Sequence, residues 1–244
     1  MALAIGALLV LGGIGGVAQS WAGGRAVLEL FTSQGCSSCP PADKLLHELA
    51  QKPGIVALTY NVDYWDYLGW KDTLATPENS RRQREYAERR GDREVYTPQL
   101  VIDGRAHAVG SRRDDIERIL KAHMAEQRPA PSLTIDRHGR ELEVSIGPAV
   151  DPSQPMEATV WLMMIQPEVS VSIQRGENLD KQITYTNVVR RIIPVAMWHG
   201  EPLKVSLPAS ELATPDTPSG VVLVQEDDGG PIIAATDVVV LKGD

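Results

Sequence analysis

The sequence predicts an α/β domain over residues 25–128 followed by an all-β, sandwich-like domain over 132–244. Three observations carry this expectation. Apolar, β-branched runs alternate with amphipathic helical stretches as far as Gln127. Arg128-Pro129-Ala130-Pro131 then interrupts the pattern, because its prolines cannot continue a helix. From Ser132 onward come short alternating runs divided by turn signals, with no amphipathic helix. At 244 residues, 43% hydrophobic and 23% charged, the chain can bury a sizeable core. Its formal charge of −8 argues against nucleic acid or an anionic membrane surface as partner.

In chain order, residues 2–18 carry no charge, and Ser20-Trp21-Ala22 or Ala18-Gln19-Ser20 supplies a small-x-small cleavage pattern, so residues 1–22 are expected to be a secretory signal. No basic residue precedes Arg25, and the run is short and glycine-rich for an uncleaved anchor. The expectation is a periplasmic or secreted protein with no stable membrane insertion after cleavage. Ala26–Phe31 reads as a buried strand, and Ala42–Ala50 as a helix with Leu45, Leu46 and Leu49 on one face. Ile55–Val62 follows as a central strand. Asp63–Trp70 then gathers four of the chain's eleven Tyr and Trp residues beside two acids. Glu78–Arg90 is a polar helix opened by Thr76-Pro77 and closed by Gly91; its arginines and acids balance, which predicts a solvated face. Tyr96-Thr97-Pro98 leads into a strand that leaves through an Asp103-Gly104 hairpin turn, and Ser111–Gln127 is a helix with Ser111 as its N-cap. The second half reads as strands at 133–137, 141–146, 158–165, 169–173, 183–193, 203–207, 221–225 and 232–241.

The two cysteines, Cys36 and Cys39, lie in Ser33-Gln34-Gly35-Cys36-Ser37-Ser38-Cys39-Pro40-Pro41, between the first strand and the first helix. At such a turn the unpaired N–H groups and the positive end of the helix dipole favour a thiolate, the form of cysteine that attacks disulfides or binds metal. A two-residue spacing closes too small a loop for the pair to serve as a staple. Three readings stand: a dithiol–disulfide couple with Cys36 attacking and Cys39 resolving, a metal site, or an inert disulfide. None of the five histidines stands at a metal-ligand spacing from the cysteines, so no metal set and no cofactor is expected.

The first domain resembles the thioredoxin fold, in which C-x-x-C opens the first core helix and a cis-proline faces it from the start of a later strand. Cys36, Cys39 and Pro98 match those places. The resemblance implies a cis Thr97-Pro98 bond, with Thr97 beside the bound substrate. It also places Glu29 near the buried carboxylate that thioredoxins carry in the preceding strand. The sequence departs from that pattern in having no tryptophan before Cys36 and in Pro40-Pro41 after Cys39. More narrowly, the blocks Glu29–Asp43, Val62–Trp70 and Arg175–Asn178 through Asn187–Arg190 are similar to an exported thioredoxin-like family known only as domain of unknown function 1223. That resemblance implies the fold and the export and brings no activity.

The resulting expectation is an exported thiol–disulfide oxidoreductase acting on thiols and disulfides of other exported proteins, with a non-enzymatic binding or interaction protein as the alternative. Cys36, Cys39, Pro98 and Glu29 are the catalytic candidates; Thr97, Tyr64 and Trp65 are the substrate-binding ones. Glu29 is either a buried proton shuttle for Cys39 or an edge-facing carboxylate. The aromatic segment is either a wall of the substrate cleft or packing beneath the second domain. Asp63 and Asp66 read as a solvated loop before a cation pair, and Arg175, Glu177, Asn178, Asn187, Arg190 and Arg191 as an interdomain polar network before a ligand site.

Overall fold

The computed structural model describes residues 25–126, 128–153 and 156–241. The expected secretory signal at 1–22 lies outside them. The elements run β1 (Ala26–Thr32), α1 (Pro40–Ala50), β2 (Ile55–Asn61), a single 3-10 turn (Asp66–Leu68), α2 (Pro77–Arg90), β3 (Gln99–Ile102), β4 (Ala106–Val109) and α3 (Arg113–Ala125). The second half gives β5 (Leu133–His138), β6 (Glu141–Ile146), β7 (Ala158–Ser172), β8 (Gln182–Trp198), β9 (Leu203–Pro208), the one-turn α4 (Ala209–Leu212), β10 (Ser219–Glu226), β11 (Ile232–Ala235) and β12 (Val239–Val240).

A separate β-sandwich is not what the second half builds. Among the described residues one nine-stranded sheet runs β11-β10-β7-β8-β2-β1-β3-β4, with β12 beside β10. The join is β8 lying parallel to β2 at Thr59 and Val188, so the sheet crosses the expected boundary. Only β5, β6 and β9 form a second, three-stranded sheet. Its apolar side chains Leu133, Leu142, Val144, Ile146 and Leu207 pack on the face that also carries Val27, Phe31, Tyr60 and Tyr86. A two-layer arrangement therefore exists, but the large layer belongs to both halves.

β7 and β8 are longer than their apolar runs suggest: Pro194 falls beside the register shift at Val160/Trp161, where the ladder loses little by a missing N–H, and Pro167 is accommodated within an unbroken register between Gln166 and Glu168. Asn187 takes φ +50° between the paired residues Thr186 and Val188 of β8.

Side chains of β1 alternate between the two faces. Leu28 and Leu30 meet Leu45, Leu46 and Leu49 of α1 and Ile116 and Leu120 of α3. Val27 and Phe31 point the other way. Thr76 caps α2 through its side chain, Pro77 opens it, and Gly91 ends it at φ +75°. Two expectations need correction. α3 starts at Arg113 without a side-chain cap, one residue too late for Ser111 to serve as its N-cap. α2 is also no solvated helix: Asn79, Ser80, Arg82, Gln83, Tyr86 and Ala87 are buried, because the helix lies across the sheet with a polar stripe inward.

Candidate functional site: the Cys36–Cys39 turn

β1 ends at Thr32 in the middle of the large sheet, and the chain turns through Ser33–Cys39 into α1. Cys36 and Cys39 are joined by a disulfide, their Cα atoms 5.4 Å apart. The turn is closed by the Cys36 N–H donating to Ser33 O and the Cys39 N–H to Cys36 O, both at 3.2 Å. Cys39 occupies the N-cap position, and Pro40 and Pro41 fill the first helical positions, where no N–H is needed. Cys36 is 5% exposed and Cys39 fully buried, whereas Ser37 and Ser38 between them face solvent. The Ser38 hydroxyl lies 3.4 Å from Cys36 Sγ, positioned to donate to a thiolate there.

Three segments surround the turn. The aromatic segment 63–70 lies beside Gly35, where an added Cβ would come 3.2 Å from Trp65 O. Trp65 in turn donates from Nε1 to Thr97 Oγ1 at 2.7 Å, tying the turn to the Thr97-Pro98 bond, which is cis. Pro98 is buried where Leu30, Ala42 and Gly110 converge. Tyr64 is half-buried and donates to Gln83 Oε1 at 3.0 Å, anchoring the segment to α2, while Tyr67 is 75% exposed. Trp70 donates to Gln34 Oε1 at 2.7 Å.

The third segment is the tip of the β7–β8 hairpin, residues 173–181. The buried Asn178 donates from Nδ2 to both Gln34 O and Cys36 O at 2.9 Å. The Ser37 N–H donates to Glu177 Oε2 at 3.3 Å. Of the six polar residues grouped in the sequence, these two reach the cysteine turn. Asn187 instead donates to Ala57 O, and Arg191 to Leu212 O. Asp63 accepts from Ser80 Oγ and Asp66 from the Asp72 N–H, so both carboxylates hold the loop in shape. Among the described residues no group of three or more His, Cys, Asp or Glu could hold a metal ion.

Glu29 and Asp43 are buried carboxylates on opposite faces of β1, and Asp72 is a third buried acid, beside the cysteine turn. Glu29 is fully buried on the α2 face, with Arg82 Nε donating to it at 2.7 Å and the Tyr86 hydroxyl donating to its other oxygen. Arg82 also donates to the Tyr86 hydroxyl at 2.9 Å, as does Gln225 of β10 at 3.1 Å. Burial works against the Arg82 charge, but Glu29 and the two tyrosines outweigh it and push the guanidinium's pKa up. Glu29 is therefore an interior ion pair on the face away from α1, not a shuttle reaching Cys39 and not an edge carboxylate.

The other carboxylate, Asp43, stands in the first turn of α1 and is 4% exposed. Neither of its oxygens has a hydrogen-bond partner among the described residues. Burial pushes its pKa up to about 8, the nearby Thr32 hydroxyl only partly offsetting this and the Asp72 charge adding to it. Thr32 Oγ1 from β1, Asn61 Oδ1 from β2 and Tyr185 OH from β8 are likewise buried and unpartnered. Asp72 is raised by burial although it accepts from the Gln34, Leu74 and Ala75 N–H groups and Asn61. A cleft of about 710 Å3 along α1, lined by Pro40, Lys44, His47, Glu168, Lys181 and Thr184, reaches Asp43. Sequence reasoning passed over Asp43 because an acid in a helix's first turn complements the dipole. Its position four residues after Cys39 and three before the buried Leu46 was the available signal.

Fold and site together define a mixed α/β protein with a Cys-x-x-Cys disulfide at a strand-to-helix turn. The chain belongs to the family described as protein of unknown function (DUF1223), whose model matches residues 27–225. It is similar to the crystal structure of a protein from Agrobacterium tumefaciens, with 36% identity over 91% of this chain and 96% of that one and a TM-score of 0.78. It is also similar in fold to HBP35 of Porphyromonas gingivalis, with 11% identity over 88% of this chain and 74% of that one and a TM-score of 0.56. No curated protein matches.

Proposed function

We propose that the chain is an exported thiol–disulfide oxidoreductase of thioredoxin-like build, acting on the thiols and disulfides of other exported proteins through Cys36 and Cys39. The observation that carries this is the Cys36–Cys39 disulfide at the start of α1, with the less buried sulfur first and a hydroxyl beside it. The cis Thr97-Pro98 bond, linked to the turn through Trp65, supports the thioredoxin-like reading. Cys36 attacks, because it has the exposure and the donor, and Cys39 resolves from beneath. In this reading the β7–β8 hairpin tip shields the turn, holding two of its carbonyls through Asn178.

Cys39→Ser, isolated from the periplasm, should accumulate mixed disulfides on Cys36, because the thiol that releases them is gone. Cys36→Ser should trap far less. Non-reducing gels of both variants, with copper and zinc measured in the wild type, decide the matter. Adducts confined to Cys39→Ser establish the reading; no adducts with stoichiometric metal turn it into a binding protein, and no adducts without metal leave a structural disulfide.

A further inference from the structure

A buried carboxylate with two unsatisfied oxygens is costly to a fold and needs a reason. Asp43 follows Cys39 by four residues on α1, its N–H bonded to Cys39 O at 3.2 Å, so the two side chains lie on one helix face one turn apart. Close to it stand the Thr32 hydroxyl and the Tyr185 hydroxyl with Asn61 beside it, buried polar groups from three different strands. Such a pocket is polar enough to hold water, which bridges groups that do not touch directly. The cleft between α1 and the β7–β8 hairpin then opens it to the outside.

We infer that Asp43 exchanges the proton of Cys39 when that cysteine forms or leaves the disulfide, and that the α1–hairpin cleft connects Asp43 with solvent. The inference rests on the dithiol reading of the cysteine pair. In the reducing direction, the Cys36 thiolate attacks a protein disulfide R–S–S–R′, forming Cys36–S–S–R and expelling R′–S−, which takes a proton from water. Cys39 gives its proton to the Asp43 carboxylate, and its sulfur attacks Cys36 Sγ. The bond from Cys36 to the substrate sulfur breaks, R–S− leaves and is protonated by water, and Asp43 releases its proton through the cleft. Two electrons pass from the protein dithiol to the substrate disulfide. An external dithiol resets the pair by the reverse path, with protonated Asp43 donating to Cys39 as it departs.

The proton affinity suits the task, since a pKa of about 8 lies close to that of a thiol, roughly 8.5. The groups facing Asp43 are Asp72, whose charge raises that pKa, the Thr32 hydroxyl, which lowers it, and Tyr185. Lys44 and His47 of α1, Glu168 of β7 and Lys181 at the hairpin line the cleft outside it. His47 bonds Thr186 Oγ1 at 2.8 Å and Lys181 donates to Asn178 Oδ1 at 2.9 Å, so two of the groups at the mouth are held in place.

The test is stopped-flow release of thionitrobenzoate from one equivalent of Ellman's reagent by the pre-reduced full chain. The first release reports attack by Cys36, and the second reports Cys39 displacing the aromatic thiol. In Asp43→Asn the second rate divided by the first should fall about 100-fold near pH 7 and recover toward pH 9, where the thiol ionises unaided. In the wild type that ratio should titrate near 8. An unchanged ratio in Asp43→Asn overturns the role of Asp43 and leaves the dithiol reading standing; two absent releases in the wild type overturn the dithiol reading itself. Should Asp43→Asn fail to fold, carbon-13 NMR of the reduced wild type decides: an Asp43 carboxyl titrating near 4 overturns the inference, and one titrating near 8 with a matching step in the rate ratio supports it.

Discussion

Glu29 and Asp43 are both buried carboxylates, one on β1 and the other on the helix that follows it, yet they lead opposite lives. Glu29 is saturated: Arg82 neutralises it, Tyr86 donates to it, and Gln225 braces that tyrosine from β10. Asp43 has no cation beside it, only the Thr32 hydroxyl, which offsets little of the burial that makes it hold its proton. Burial alone therefore does not make a carboxylate reactive. A buried acid inside a complete ion-pair network is fixed in charge, whereas one left alone beside a cleft keeps a proton that it can trade.

Removing the partner that makes Glu29 inert should have the largest effect. Arg82→Ala leaves an uncompensated interior charge and should cost about 4 kcal/mol in denaturant unfolding, while Glu29→Leu with Arg82→Met together should cost less than either single change. Asp43→Asn tests the other side through pH. The native carboxyl holds its proton up to about 8, whereas the unfolded chain loses it near the ordinary carboxylate value. Stability is thus fully present below the unfolded value and is lost as pH rises through about 8. The asparagine variant lacks that decline, so it should match the wild type near pH 4 and exceed it by on the order of 5 kcal/mol near pH 9. Equal pH profiles for the two proteins would erase the contrast with Glu29.

Asn178→Ala should cost about 2 kcal/mol by leaving two carbonyls of the cysteine turn without their donor, and hydrogen exchange should rise at Ser33–Cys39 before it rises elsewhere. Tyr67→Ala should change stability by less than about 0.5 kcal/mol, because the ring is 75% exposed. A larger change would mean that the aromatic segment supports the fold more than it borders the site.

What the sequence disclosed follows the range of the forces involved. The cysteine turn, the Thr76-Pro77 opening and the Gly91 close of α2, and the Asp103-Gly104 hairpin are local, and residues within a few positions specify them. The inward stripe of α2 is not local. Arg82 stands among other arginines and balancing acids, and only the position of Glu29 across the sheet tells which guanidinium is drawn inside. The merger of the two halves was equally hidden, because a break at 128–131 marks a change of pattern without saying where the next strands will pair.

That merger also sets a timetable. β2 pairs with β8 at Thr59 and Val188, helped by Asn187 donating to Ala57 O, and the carbonyls of Gln34 and Cys36 meet their donor only when Asn178 has arrived. A chain emerging from its N-terminus has Cys36 and Cys39 side by side long before the strand that completes their sheet exists. Oxidation of the pair can therefore precede closure of the site, and the nascent turn stays open to exchange with other thiols until the last third of the chain folds over it.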